Sequence, residues 1–186
     1  SSRDFEGAAA QYRAILAEMP DAAFSRALLA DILVKQNRPS EALTLLNEGI
    51  AIDANAAVLH REKGRIYDRL GRNGEAAAAW EVAGARGWKD PLVNAGIVRS
   101  REAGQEVLAG RDPIPAFTRG LADLDRVIQQ DPKHTLALRA RGLLHFQKGI
   151  SEINEGRDGA ASIAQAAADH DEMVRWTADR LTALRC

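Results

Sequence analysis

A chain of 186 residues carries 25 Lys and Arg against 26 Asp and Glu, a net charge of −1 that calls for neither nucleic acid nor an acidic membrane surface. Aromatics are only 5% and the single cysteine is Cys186, which excludes an internal disulfide framework and a cysteine-based zinc cluster and fits a reducing compartment such as the cytoplasm. No apolar run approaches the ~20 residues of a membrane span, and the alanine-rich, β-branch-poor composition favours helices packed closely through small side chains.

The first predicted helix, within "DFEGAAAQYRAILAEMPDA", puts Ala8, Tyr12 and Ile15 at i, i+4 and i+7 on one face, and Pro20 closes it. The next helix carries Leu29, Ala30 and Leu33. After the turn "QNRPSE" the first face returns as Ala42, Leu46 and Gly49. A helix with Gly64 and Tyr67 follows, then the turn "LGRNGE", then the same face once more as Ala76, Trp80 and Ala83. Ala8, Ala42 and Ala76 stand 34 residues apart in succession, so the chain is an array of helix hairpins rather than one central core.

Beyond residue 90 the period lengthens. "PLVNAGIVRSREAGQEVLAG" predicts one long helix ending near Gly110, and Gly120, Leu124 and Val127 then give the second-helix face before the stop at Asp131-Pro132. Gly120 lies 44 residues after Ala76. A second long copy follows: Gly110-Arg111-Asp112 aligns with Gly156-Arg157-Asp158, and Ala122-Asp123 with Ala168-Asp169, each 46 apart. In that register His170 replaces Leu124 and Met173 replaces Val127. Asp169 and Glu172 are spaced to start a new helix, predicted as a cap with Trp176, Leu181 and Leu184 on its apolar face and Arg175, Asp179, Arg180 and Arg185 on its polar one.

The paired residues Leu29-Ala30…Leu33 with Ala42…Leu46, Gly64…Tyr67 with Gly71…Ala76…Trp80…Ala83, and Ala8…Tyr12…Pro20 resemble the tetratricopeptide (TPR) repeat. The aromatic near the start of the first helix is absent in every copy, and the closing proline is missing after Asp53. The resemblance implies an all-α fold of antiparallel helix hairpins stacked as a right-handed solenoid. It divides the chain into a half-repeat at 1–20, repeats at 21–54 and 55–88, elongated repeats at 89–132 and 133–170, and a cap at 171–186. The half-repeat implies a fragment of a larger protein. The elongated repeats also resemble TPR appendages of bacterial signalling proteins, some Ser/Thr kinases among them.

No catalytic constellation emerges. Asp123 and Asp125 lie about 200° apart around a helix, so they cannot share a proton and are expected on its solvated flanks. "DHDE" at 169–172 has oxygen and imidazole ligands but no matching His or Cys nearby, and it also reads as a helix start. His60, His134 and His145 have no metal-ligand spacing, and no nucleophile elbow, zincin helix or phosphate loop occurs. No cofactor is expected.

The resemblance implies a groove lined by the first helices of each hairpin, here Ala27, Asp31 and Lys35, then Arg61, Arg65 and Arg69, then Val93, Ile97 and Arg101, then Arg139, Leu143 and Gln147. The arginines at 61, 65 and 69 form a basic stripe, with Glu62 and Asp68 nearby. The leading expectation is a scaffold that binds a protein segment in this groove, with an acidic one matching the basic stripe. The chaperone-type carboxylate clamp is not matched, because Ala27, Asp31 and Glu62 stand where its Lys and Asn residues belong. The alternative is a spacer or self-associating module without a groove ligand. RNA binding is disfavoured by the neutral charge and scarce aromatics.

Overall fold

The computed structural model describes residues 2–183, which contain helices and turns and no strand. The helices are α1 (Ser2–Glu18), α2 (Ala23–Lys35), α3 (Pro39–Ile52), α4 (Ala57–Arg69), α5 (Asn73–Gly84), α6 (Lys89–Leu108), α7 (Ile114–Gln130), α8 (Thr135–Asn154) and α9 (Ala160–Ala183). The all-α, helix-hairpin expectation is therefore met. The chain forms two compact units, Ser1–Pro91 and Leu92–Cys186, with the boundary in the first turn of α6.

In the first unit, the 34-residue period is a packing period. Leu29, Ala30 and Leu33 of α2 share one core with Ala42 and Leu46 of α3, both wholly buried. One period on, Gly64 of α4 faces Trp80 of α5. A Cβ on Gly64 would stand 2.5 Å from the indole, whose Nε1 donates to the Arg61 carbonyl at 3.1 Å. A small residue on one helix thus lets the bulky side chain of the other fill the space, each such burial contributing roughly 1.5–3 kcal/mol.

The second unit repeats itself at 46 residues. Leu92, Val93, Phe117, Leu124, Val127, Ala137 and Leu144 form its core. The two "GRD" turns have the same backbone: Gly110 and Gly156 adopt φ of 68° and 74°, where a side chain would be strained. In each turn the following arginine's N–H bonds back to a carbonyl five residues earlier, Arg111 to Glu106 and Arg157 to Glu152, both at 2.8 Å. Asp112 and Asp158 then accept from the N–H groups of Ile114 and Ala160, at 3.0 and 2.9 Å, opening α7 and α9.

Two expectations are corrected here. α9 runs unbroken from Ala160 to Ala183, so no new helix starts at Asp169–Glu172. The reason is that Asp169, 1% exposed, is held inside the helix pair by Arg141 of α8 rather than capping a helix end. Likewise Asp123 is buried at 4% exposure and is not a solvated flank, while Asp125 is half-exposed and paired with Arg141. Of the expected cap residues, Trp176 is half-buried beneath Lys133, whose ammonium lies 4.4 Å from the ring centroid. Asp179, Arg180, Leu181, Leu184, Arg185 and Cys186 lie outside the described side chains.

Candidate protein-interaction surfaces

On the first unit, α2 and α4 bring Ala27, Asp31, Arg61 and Arg65 together in a shallow pocket of about 280 Å³. Residues 34 apart occupy equal heights on neighbouring first helices, so Asp31 meets Arg65 directly. Lys35 Nζ lies 2.8 Å from the other Asp31 oxygen. Partial burial pushes the Asp31 carboxyl up, but hydrogen bonds from Lys35 and Arg65 outweigh it and hold it below the ordinary carboxylate range. Arg65 also donates to Glu62 at 2.8 Å, and Arg61 donates to the other Glu62 oxygen at 3.0 Å while stacking 4.6 Å from the Trp88 ring centroid. Glu62 is itself buried. The arginine stripe is thus largely neutralised from within, and only Arg69, at its end, is exposed rather than half-buried.

On the second unit, Val93 sits in the core at 1% exposure and offers no surface to a ligand. Ile97, Arg101, Arg139 and Leu143 are exposed, and Gln147 accepts from Ser100 Oγ at 2.6 Å, joining α8 to α6. Beside that bond lies a cavity of about 680 Å³ between the last turns of α6 and α8. Val107, Leu108, Phe117 and Ile150 supply its apolar lining; Ser100, Gln147, Ser151 and Asn154 supply polar groups, and the Gly110–Asp112 turn closes one end. Leu108 is 90% exposed and Val107 beside it 53%.

Sequence reasoning placed the groove near Arg101 and missed Ser100, Gly104, Val107 and Leu108. Extending Val93 and Ile97 by a further four residues drifts around the helix, whereas 3.6 residues per turn carries the same face to 100, 104 and 107. The remaining candidates have structural roles. His134 caps α8, its Nδ1 accepting from the Ala137 N–H at 3.2 Å. His60 Nε2 is 3.1 Å from the Ala54 carbonyl. Asp169 of the "DHDE" run is consumed by Arg141, and among the described residues no group of His, Cys, Asp and Glu is arranged to hold a metal ion. No described helix is long and apolar enough to cross a membrane.

The model of the tetratricopeptide repeat family matches residues 1–61. No curated protein matches the chain in sequence. Among solved structures, MamA superposes with a TM-score of 0.68 at 16% identity, covering 96% of this chain and 92% of its own. A MamA RS-1 double mutant gives 0.66 at 12%, covering 95% and 86%. PilW, a type IV pilus biogenesis factor, gives 0.55 at 17%, covering 95% and 84%. At these identities the likeness is one of fold.

Proposed function

We propose that this chain, whose residues 1–61 are tetratricopeptide-repeat sequence, is a non-catalytic protein-interaction scaffold that seats an apolar partner segment in the groove between α6 and α8. One observation carries the reading: an apolar cavity of about 680 Å³, bordered by exposed Val107, Leu108 and Ile150 and by side-chain amides and hydroxyls. That volume is in the range of specific ligand sites, roughly 300–1,000 Å³. Apolar walls supply affinity, while Ser151 and Asn154 at the rim are placed to hydrogen-bond a partner's backbone.

An acidic segment on Arg61, Arg65 and Arg69 is the weaker reading, since Glu62 and Asp31 already occupy the first two guanidinium groups and would have to be displaced. A spacer without a groove ligand leaves the apolar cavity without an occupant.

The test is peptide display against the purified chain. Enriched peptides should share apolar positions, and their binding should fall at least about tenfold on Ile150→Glu, with helicity unchanged by circular dichroism. Selection of acidic peptides that ignore Ile150→Glu but fail on Arg69→Glu would move the site to the α2/α4 face. Recovery of no consensus at all would refute the groove.

A further inference from the structure

The two elongated hairpins, α6/α7 and α8/α9, are related by 46 residues, and this gives an internal comparison. On the first hairpin, Phe117, Gly120, Leu124 and Val127 are all buried. α8 lies against that hairpin: Leu144 packs at Gly120, and Arg141 Nη1 donates to Asp125 at 2.7 Å. Forty-six residues on, Ile163, Ala166, His170 and Met173 are half-buried or exposed and line an open groove of about 380 Å³. Leu143 and Phe146, 54% and 48% exposed, form its α8 side. No described helix covers it. Asp171, the counterpart of Asp125, is exposed and makes no ion pair with a described residue.

We propose that the α8/α9 face is a docking site for one amphipathic α-helix of a partner protein, which presents small residues and a leucine to the groove and an arginine to Asp171. α8 supplies the template, since it occupies the equivalent surface of α6/α7. Its contacts come from Ala137, Ala140, Arg141 and Leu144, at i, i+3, i+4 and i+7, which is one face of a helix. Small residues at 166 and 167 let a helix axis approach closely, and an unbranched groove between two helices is the surface into which the ridge of a third packs. Charge complementarity specifies the partner further. Arg141 is committed to Asp169 and Asp125. Asp171 instead asks for a cation from outside, and a guanidinium matches its carboxylate in geometry as well as charge. On α8 this surface adjoins the α6 groove, since Phe146 and Ile150 are one turn apart, but Asp171 belongs to it alone.

The experiment titrates the whole chain into a fluorescein-labelled peptide of residues 133–155, the α8 sequence itself, by anisotropy. Saturable binding is expected, weakened about tenfold by Asp171→Arg in the chain and restored when that variant meets a peptide carrying Arg141→Asp. Asp171 is exposed, so the variant is expected to keep its helicity, checked by circular dichroism. Absence of saturable binding by the folded chain overturns the proposal, as does binding indifferent to Asp171→Arg, which would mean displacement of the resident α8. Sedimentation provides the third arm: a dimer dissolved by Asp171→Arg would assign the face to a second copy of this chain instead of a partner helix.

Discussion

Replacing Arg141 with methionine tests how the elongated repeats are held together. Asp169 is 1% exposed and accepts from Arg141 Nε at 3.1–3.2 Å and Nη2 at 2.5 Å, and from Gln165 Nε2 at 3.4 Å. Methionine keeps the packing volume but removes every charge-assisted bond, leaving a buried carboxylate with one long amide contact. Breaking a buried pair from one side costs about 3–5 kcal/mol. The second bond of Arg141, to half-exposed Asp125, is worth far less, so Asp125→Asn should cost under about 1 kcal/mol. Urea unfolding followed at 222 nm ranks the two. For a unit of this size the larger loss lowers the melting temperature by at least about 12 °C. In the double variant Arg141→Met/Asp169→Leu most of the penalty should disappear, because no charge is then stranded. If Arg141→Met costs no more than Asp125→Asn, or if the double variant is no better than Arg141→Met alone, Asp169 is not held by this pair and the reasoning fails.

Gly64→Ala should cost about 1–3 kcal/mol, because its Cβ would meet the Trp80 ring at 2.5 Å; thermal unfolding checks it, and adding Trp80→Leu should recover part of the loss. Gly110→Ala and Gly156→Ala should each cost about 1–2 kcal/mol by forcing alanine to positive φ, and the near-equality of the two losses is the diagnostic result. Burial holds His60 and His145 below the ordinary value of 6.5, more than nearby Asp169 and Asp125 raise His145. The unfolded chain therefore binds these protons first, so stability is intact above about pH 6.5 and declines as pH falls through the two depressed values. Urea midpoints at pH 7.5 and 5.5 should show this, and His145→Gln should flatten the difference.

Much of the fold was legible because packing obeys a period. Ala76 with Trp80, or Ala42 with Leu46, announce a close helix contact by size alone. The charges were harder to read, since a stripe such as Arg61–Arg65–Arg69 shows which side chains share a face but not what stands opposite. The answer was nonetheless latent in the period. Asp31 and Arg65 are 34 apart, hence at equal heights on neighbouring helices, and they pair. The burial of Asp123 and Asp169 was similarly encoded. Asp123 falls at i+3 from Gly120, between the packing positions Gly120 and Leu124, and its recurrence at 169 marks a repeated position on the apolar face. The open state of the α8/α9 groove was signalled only by His170 and Met173 standing where Leu124 and Val127 stand one repeat earlier, since Leu143, Phe146 and Ile163 beside them read as core.

The turns show how two period lengths are reconciled in one chain. Asn37, Gly71, Gly110 and Gly156 all adopt positive φ, and each is followed by an arginine. In all four, that arginine's N–H bonds to the carbonyl five residues before it: Leu33, Tyr67, Glu106 and Glu152, at 2.8–2.9 Å. The helix end is thus the same device at spacings of 34, 39 and 46 residues, and most of the added length lies within the helices. The side chain of the same arginine then differs by repeat. Arg38 and Arg72 reach forward three residues to Glu41 and Glu75 on the next helix, while Arg111 holds Glu106 of the helix just ended and Arg157 holds Glu155, just past the end of α8. In the longer hairpins the forward role passes to Asp112 and Asp158, which open α7 and α9 through backbone N–H groups. The turn arginine is released from fixing the next helix, and at Gly110–Asp112 it stands at the mouth of the α6/α8 groove. The longer turns thus open the following helix with an aspartate, where the shorter ones set an arginine–glutamate pair across the turn.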